Sequence, residues 1–268
     1  MSAEPGVATV AVVTGAARGI GRGIALVLGE IGATVYVTDR DSRAHPHPSL
    51  PGTVEDTAVQ VSARGGRGVP VVVDHTDDDA VANLFARVGR EHGGLDLLVA
   101  NAFAGNALPF HSAPFWTLSL DHWHNMFDCG VRGHLVAAHC AAPLLIARRG
   151  LVVVTGYDDP GADVLAGHLF YDLAMAATRR LVRGLAHDLR VHGVTAICLS
   201  PGFTRTEAIL AQLDEVPAGT DSVELPGRAV RALLQDPEVA RHSGRTLGVA
   251  ELAARYGFGD VDDAVGAG

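Results

Sequence analysis

The chain is poor in cysteine, in aromatic residues and in charge. Its three cysteines, Cys129, Cys140 and Cys198, are isolated in apolar segments and do not have the spacing of metal ligands. Small secreted domains use sets of cysteines as a disulfide framework, and no such framework is present here. The pattern favours buried thiols in a reducing compartment, so we predict a cytoplasmic protein with no metal site.

Charged residues make up only 19% of the chain, and acidic residues outnumber basic ones, for a formal net charge of -9. Nucleic acids and anionic membrane surfaces attract basic proteins, so we expect neither as a partner. No uncharged apolar run is long enough to span a membrane, and the first residues lack the basic region of a signal peptide.

Short β-branched runs alternate with segments of helical length along the chain, and 48% of the residues are apolar. The runs are apolar at nearly every position, which is typical of parallel strands covered on both faces. This alternation predicts right-handed crossovers and a single doubly wound Rossmann-type α/β domain over residues 1–268. The predicted strands are Val7–Val13, Thr34–Thr38, Val69–Val73, Leu95–Ala100, Leu151–Thr155, Val194–Leu199 and Arg245–Val249.

A glycine-rich turn, TGAARGIG at residues 14–21, lies between the first predicted strand and a helical segment. Its glycines permit a tight turn and a close approach of the backbone to a pyrophosphate. The helix that follows offers free N–H groups and the positive end of its dipole. We therefore predict a dinucleotide site that includes Gly15, Arg18, Gly19, Ile20 and Gly21.

The identity of the dinucleotide depends on the end of the second strand. The Asp39 carboxylate can bind the adenosine ribose hydroxyls and repel a 2′-phosphate, which favours NAD. Arg40 and Arg18 would instead clamp the 2′-phosphate of NADP, so both cofactors stay open, with a slight preference for NAD. Asp74 ends the third strand, where it can meet the adenine amino group, and Asn101 ends the fourth, where it can fix the loop over the cofactor.

Two segments interrupt the alternation. Residues 41–52 (DSRAHPHPSLPG) are expected to form a surface loop, with a metal site from His45 and His47 as a weaker alternative. Residues 204–223 follow the sixth strand, where loops line the ligand crevice of such sheets, and we interpret them as a substrate lid. The residues from about 250 are expected to form a C-terminal extension.

The motifs that define the chain are TGAARGIG at 14–21, Asp74, LLVANA at 97–102, Tyr171 at a helix start and PGFTRT at 201–206. In order and spacing they resemble the short-chain dehydrogenase/reductase family over roughly residues 7–255. Four further segments resemble the subgroup that contains human dehydrogenase/reductase member 1 and its bacterial relatives. These are TVED at 53–56, VDHTD at 73–77, FYDL at 170–173 and residues 243–262.

The resemblance implies a seven-stranded parallel sheet in the order 3-2-1-4-5-6-7, with helices on both faces, and a nicotinamide cofactor. It implies hydride transfer to or from a small alcohol or carbonyl substrate. It also implies a homodimer or homotetramer built on the fourth and fifth helices. The PGFTRT segment adds Pro201, Gly202, Thr204 and Thr206 to the cofactor site.

Members of the family use an Asn-Ser-Tyr-Lys set, and of these four residues only the Tyr is matched here, by Tyr171. The Lys position, four residues later, holds Met175, and the Asn position corresponds to Asp128. The candidates for the Ser position are Thr155, Gly156, Tyr157 and Asp158.

Loss of the Lys bears directly on the chemistry. An unassisted Tyr titrates near ~10, and a cation within about 4–6 Å lowers such a pKa by ~1–3 units, so its loss costs on the order of 10- to 1000-fold in tyrosinate. Arg179 lies one helical turn beyond Met175, although we expect it to point outward into solvent. His168 is a candidate proton shuttle, or simply a helix cap. Asp128 is a candidate general base if it is buried.

We therefore expect an oxidoreductase in which the activation of Tyr171 is weakened or substituted. The alternatives are a non-redox enzyme on the same scaffold, such as an isomerase, cyclase, dehydratase or lyase, and a catalytically silent cofactor-binding subunit.

Overall fold

The computed structural model describes residues 8–159, 161–212 and 219–261. These residues form a seven-stranded parallel sheet in the order β3-β2-β1-β4-β5-β6-β7. This confirms the Rossmann-type fold and the strand order implied by the resemblance. The strands are β1 (Val10–Thr14), β2 (Thr34–Asp39), β3 (Arg67–Val72), β4 (Leu97–Ala100), β5 (Leu151–Thr155), β6 (Thr195–Ser200) and β7 (Thr246–Gly248).

Helices cover both faces of this sheet. A π-helical segment, His124–Arg132, joins the fourth helix to the fifth. Short 3-10 turns lie at Gly105–Ala107, Phe115–Thr117, Leu165–Gly167, Arg190–His192 and Val239–His242. The α-helices are α1 (Gly19–Glu30), α2 (Val54–Ala63), α3 (Asp78–His92), α4 (Asp121–Trp123), α5 (Gly133–Arg148), α6 (Leu169–Leu189), α7 (Glu207–Leu210), α8 (Leu225–Gln235) and α9 (Val249–Tyr256).

The two faces of the sheet enclose two separate cores, because successive side chains of a strand point to opposite sides. Along β1, Ala11 and Val13 enter the core formed with α1, α2, α8 and α9, whereas Val12 enters the core formed with α3, α5 and α6. Leu252 of α9 is fully buried in the first of these cores. The segment from about 250 therefore begins as part of the domain, and its last residues, 262–268, lie outside the described residues.

The strand β3 departs from the expectation that every strand is covered on both faces. It lies at the edge of the sheet, and Val69 is the one buried residue in its Arg67–Val72 stretch. On one face Val69 and the partly buried Val71 join the core formed with α3, whereas Pro70 and Val72 on the other face are exposed.

By length and composition, the helical run Asp121–Arg148 would be able to cross a membrane. In this fold the run packs on the sheet, where Ala137, Ala141 and Leu145 are buried in the core. A core helix passes the same test, so the run is weak evidence for a membrane span.

The sheet order also fixes where a ligand can bind. The chain moves outward from β1 in both directions, to β2 and β3 on one side and to β4 and the later strands on the other. The loops that follow β1 and β4 therefore diverge and leave a crevice at the carboxyl ends of the strands. The predicted lid, residues 204–223, follows β6 at this edge, although its residues 213–218 lie outside the described part of the chain.

Candidate cofactor and active site

The phosphate loop connects β1 to α1 through two glycines with positive φ, Gly15 at 64° and Gly19 at 57°. Residues with a side chain rarely adopt this conformation. A side chain at Gly21 is excluded for another reason, since its Cβ would lie 2.2 Å from the Gly15 carbonyl oxygen. Backbone geometry therefore requires all three glycines that the sequence analysis assigned to this loop.

The loop borders a cleft of about 660 Å³ at the carboxyl edge of the sheet. Gly21 packs behind the loop, and Pro201, Gly202 and Thr204 shape the turn after β6, where Thr204 pairs with Asp221 in an isolated β-bridge. The other predicted cofactor residues line the cleft directly. They are Gly15, Arg18, Gly19, Ile20, Asp39, Arg40, Asp74, Asn101 and Thr206.

Asn101 holds the phosphate loop in place from the neighbouring strand. Its side-chain Nδ2 donates to the carbonyl oxygens of Thr14, at 3.0 Å, and Gly15, at 3.1 Å. Its Oδ1 accepts a hydrogen bond of 3.2 Å from the Thr155 hydroxyl. Thr155, a candidate for the Ser position, is thus part of the network that supports the loop.

Carboxylates and an arginine surround the end of β2. The Asp39 carboxylate accepts hydrogen bonds from the backbone N–H groups of Ala17, at 3.2 Å, and Asp41, at 3.3 Å. Burial raises the pKa of Asp39, and these two donors oppose that effect because they favour the charged form. Arg18 forms an ion pair of 2.6 Å with Asp41, so its guanidinium is engaged within the protein.

Glu207, a residue that the sequence analysis missed, contacts the phosphate loop. The Glu207 carboxylate accepts a hydrogen bond of 2.7 Å from the backbone N–H of Gly19 and lies 3.6 Å from the Arg22 guanidinium. A carboxylate at the N-terminus of α1 interacts favourably with the helix dipole, as a phosphate does. In the sequence, Glu207 directly follows Thr206, and this position was the one indication that it lies near the cleft. The Thr206 hydroxyl caps α7 by accepting a hydrogen bond from the Ile209 N–H.

Tyr171 lies in the first turn of α6, within an apolar cluster. Its ring contacts Phe110 edge-on, with centroids 5.3 Å apart, and Phe103, with centroids 6.2 Å apart. Met175, one turn along the helix, is 6% exposed and belongs to the same cluster. Burial, and to a smaller extent the neighbouring Tyr157, raises the pKa of Tyr171 well above its ordinary value. No cation is among the described groups that act on this hydroxyl.

His168 is the N-cap residue of α6. Its Nδ1 accepts the backbone N–H of Tyr171 at 3.3 Å, and the ring is completely buried against Phe110 and His122. Burial, followed by the nearby histidines, lowers the pKa of His168 and keeps the ring neutral. The structure thus gives this histidine the helix-capping role that was the alternative to a proton shuttle.

The two acidic candidates lie in different surroundings. Asp128 has a half-exposed side chain and accepts a hydrogen bond of 2.9 Å from His124 Nδ1, so it is not buried as the general-base hypothesis requires. Asp158 forms an ion pair of 3.3 Å with Arg179, which also donates to the Tyr157 carbonyl oxygen at 2.7 Å. The expectation of a solvated, outward Arg179 is therefore wrong, because the loop after β5 supplies two acceptors for its guanidinium.

The basic residues of the chain show that no lysine can replace the one that the family uses beside its tyrosine. The chain contains 21 basic residues, and every one of them is an arginine. A lysine from elsewhere in the same chain is therefore excluded as a replacement at Met175. This signal was available in the sequence and was overlooked there.

The chain has clear relatives. A family model described as enoyl-(acyl carrier protein) reductase matches residues 15–240. Dehydrogenase/reductase SDR family member 1 of mouse is 39% identical over 94% of this chain and 83% of its own, and the human protein of that name is 37% identical with the same coverage. The crystal structure of a putative dehydrogenase from Xanthomonas campestris superposes with a TM-score of 0.83 at 28% identity, over 95% of this chain and 92% of that one.

These similarities confirm the resemblance drawn from the motifs. The chain belongs to the short-chain dehydrogenase/reductase family, a family of oxidoreductases whose fold implies a nicotinamide cofactor.

The position of Glu207 generates a testable prediction. A dinucleotide diphosphate bound at this loop would compete with the carboxylate for the Gly19 N–H. Glu207→Gln should therefore bind a nicotinamide dinucleotide roughly 3- to 10-fold more tightly, the difference between a charged and a neutral hydrogen bond. The measurement is titration calorimetry. Glu251→Gln on α9, whose partner is Arg255, serves as the control and should bind as the wild type does. Weaker binding by Glu207→Gln would show that the carboxylate supports the site instead.

Proposed function

We propose that this chain binds NAD in the cleft and transfers hydride between NAD and a small alcohol or carbonyl compound, with Tyr171 as the proton-transferring group. One observation carries the proposal. Phe103 lines the cleft beside the phosphate loop, and its ring also contacts Tyr171. The tyrosine and the cofactor cleft therefore adjoin each other at the same edge of the sheet.

The charges at the end of β2 favour NAD over NADP. Asp39 and Asp41 both line the part of the cleft where the adenosine ribose is expected. Arg18, which was the candidate partner for a 2′-phosphate, is paired with Asp41 instead. Arg40 lines the same part of the cleft and is the remaining candidate for such a contact.

When a nicotinamide cofactor is bound, it supplies or accepts the hydride. The residues of the chain bind the cofactor, and Tyr171 donates or accepts the proton. The raised pKa keeps the Tyr171 hydroxyl protonated at neutral pH. In that form it can donate a hydrogen bond, and then the proton, to the oxygen of a carbonyl substrate. Oxidation of an alcohol requires the tyrosinate instead, and this form is scarce unless the pH is high.

The apolar surroundings of Tyr171 also support a second candidate function. With Met175 one turn away and no cation among the described groups that act on the hydroxyl, the chain is suited to bind the cofactor without redox turnover. Two outcomes would favour this class: NAD binding without turnover of any alcohol or carbonyl, and product formation without a change in nicotinamide absorbance. The first indicates a silent subunit and the second a non-redox enzyme.

We also propose a homodimer that forms on α4, the π-helical segment and α5. An apolar groove of about 320 Å³ lies here, lined by Trp123, Phe127, Val131, Leu135 and Leu181 among others. Trp123 and Leu135 are each about half exposed in the isolated chain. Contiguous exposed apolar surface of this kind is typical of a protein interface.

A cytoplasmic location remains a prediction from the sequence.

The preference for NAD can be tested through Asp39. Asp39→Asn removes the negative charge and keeps one acceptor oxygen, so the ratio of the NADP to the NAD dissociation constant should fall on the order of tenfold, or ~1.4 kcal/mol. The constants are measured by calorimetry at pH 8. Asp128→Asn, at another part of the cleft, is the control and should leave the ratio unchanged. A wild-type preference for NADP would contradict the proposal.

The pH dependence of alcohol oxidation tests the state of Tyr171. Because burial raises its pKa, the wild-type rate should rise about tenfold per pH unit up to pH 10 without a plateau. Met175→Lys places a cation one turn away, which lowers the tyrosine pKa and should raise the rate at pH 7 roughly 10- to 1000-fold.

The matched control for that substitution is Met175→Leu, which keeps an apolar side chain of similar volume and should retain the wild-type profile. The readout is kcat/KM for the best substrate in a panel of small alcohols. A wild-type plateau below pH 9 would mean that another group activates Tyr171.

Leu135 tests the homodimer. Leu135→Asp introduces a charge into the proposed interface and should convert a dimer to a monomer in light scattering coupled to size-exclusion chromatography. Val59→Asp on α2 is the control, because Val59 is also exposed, at 59%, and lies away from the groove. A wild-type monomer at high protein concentration would refute the proposal.

A further inference from the structure

The loop of residues 41–52 is attached to the phosphate loop by Arg18. The Arg18 side chain donates from Nε to the Pro51 carbonyl oxygen, at 2.9 Å, and from Nη2 to the Gly52 carbonyl oxygen, at 3.0 Å. Its Nη1 donates to the Asp41 carboxylate at 2.6 Å. Each of the three guanidinium nitrogens thus has an acceptor within this loop, so Arg18 holds the loop instead of a phosphate.

The end of the loop also packs closely on the backbone of the phosphate loop. Gly52 has a φ of 102°, and a Cβ at this position would lie 2.4 Å from the Ala17 carbonyl oxygen. Only glycine allows this approach. The segment is largely exposed, as predicted for a surface loop, and through His47, Ser49 and Leu50 it also forms a fixed wall of the cofactor cleft.

One side chain of this wall is prepared to donate a hydrogen bond. His47 Nδ1 accepts the backbone N–H groups of Ser49, at 3.2 Å, and Leu50, at 3.1 Å. A nitrogen that accepts cannot carry a proton, so in the neutral ring the proton resides on Nε2. Nε2 has no hydrogen bond to the residues that the structure describes, and His47 lines the cleft together with Asp39 and Asp41.

We propose that His47 is a cofactor-binding residue whose Nε2–H donates a hydrogen bond to a hydroxyl of the adenosine ribose. The inference rests on the proposed binding of NAD. A ribose hydroxyl fits better than a 2′-phosphate, because the carboxylates of Asp39 and Asp41 line the same cleft and one of its two lining guanidinium groups, that of Arg18, is already paired. The carboxylate of Asp39 and the donor of His47 then bind the ribose from two sides, since a hydroxyl can both donate and accept.

The test uses the full chain and three variants. His47→Asn keeps an acceptor in the place of Nδ1, which preserves the loop, and lacks the Nε2 donor. His47→Ala removes both groups. His45→Ala is the matched control, because His45 lies in the same loop and is exposed outside the cleft. Dissociation constants are measured by calorimetry for NAD, ADP-ribose, ADP, 2′-deoxy-ADP and 3′-deoxy-ADP.

We expect His47→Asn and His47→Ala to bind ADP-ribose and ADP roughly 3- to 10-fold more weakly than the wild type, which corresponds to one lost hydrogen bond. The deficit should disappear with one of the two deoxy ligands, and His45→Ala should bind normally. Wild-type affinity in His47→Asn, with weak binding only in His47→Ala, would show that the ring merely shapes the loop and would overturn the inference. An equal deficit with both deoxy ligands would overturn it as well.

The same titrations separate this inference from the proposed function. If the wild type binds neither ADP-ribose nor NAD, dinucleotide binding itself is refuted and the role of His47 is refuted with it. If the wild type binds both and the His47 variants bind equally well, only the role of His47 is refuted.

Discussion

The hydrogen bonds of Asn101 are the constraint on which the cofactor cleft depends. The side chain lies at the end of β4 and donates to two consecutive carbonyl oxygens of the phosphate loop, while its own backbone N–H donates to the Thr14 hydroxyl at 2.8 Å. Thr155 extends the network to β5. Glycine permits positive φ angles but adopts negative ones about as readily, so glycines alone do not fix the conformation of the loop. The hydrogen bonds donated by Asn101 fix it, and the loop then presents its N–H groups toward a ligand.

A second feature of the cleft is that two of its binding groups, the Gly19 N–H and the Arg18 guanidinium, are already paired with carboxylates of the protein. The Glu207 carboxylate accepts a hydrogen bond from the Gly19 N–H, which would otherwise face a diphosphate, and Asp41 forms an ion pair with Arg18. If a diphosphate binds at Gly19, it would replace a carboxylate, and the net gain would be smaller than the number of new hydrogen bonds suggests. Buried donors left unpaired are costly, so the same carboxylate stabilises the unliganded loop.

The sequence was informative where the relevant contacts are local. The glycines of the phosphate loop and the His168 cap of α6 depend on residues close together in the chain. The strand order pairs distant positions such as Ala11 and Leu97, and it was implied by the resemblance to a known family. The Gly19–Glu207 hydrogen bond joins positions 188 residues apart, and no periodicity or spacing reports such a pair. Arg179 shows the same limit. Helical spacing placed it correctly one turn beyond Met175, but its direction was set by the acceptors of Tyr157 and Asp158 on another segment.

The buried side chains of the apolar cluster around Tyr171 provide no carboxylate or other polar group to pair with a cation. An ammonium group introduced at Met175 would find no partner in Met126, Leu165 or Ala174, so it would be stabilised by the tyrosinate form of Tyr171. Activation of the proton is only one contribution to catalysis, worth about 10²- to 10⁴-fold, whereas holding two reactants together contributes more. A site that keeps the cofactor cleft and the tyrosine therefore retains the larger contribution, the positioning of the reactants, even where proton transfer is weakened. What the cluster adds is an apolar surface next to the hydroxyl, which suits a substrate whose carbonyl is its one polar group.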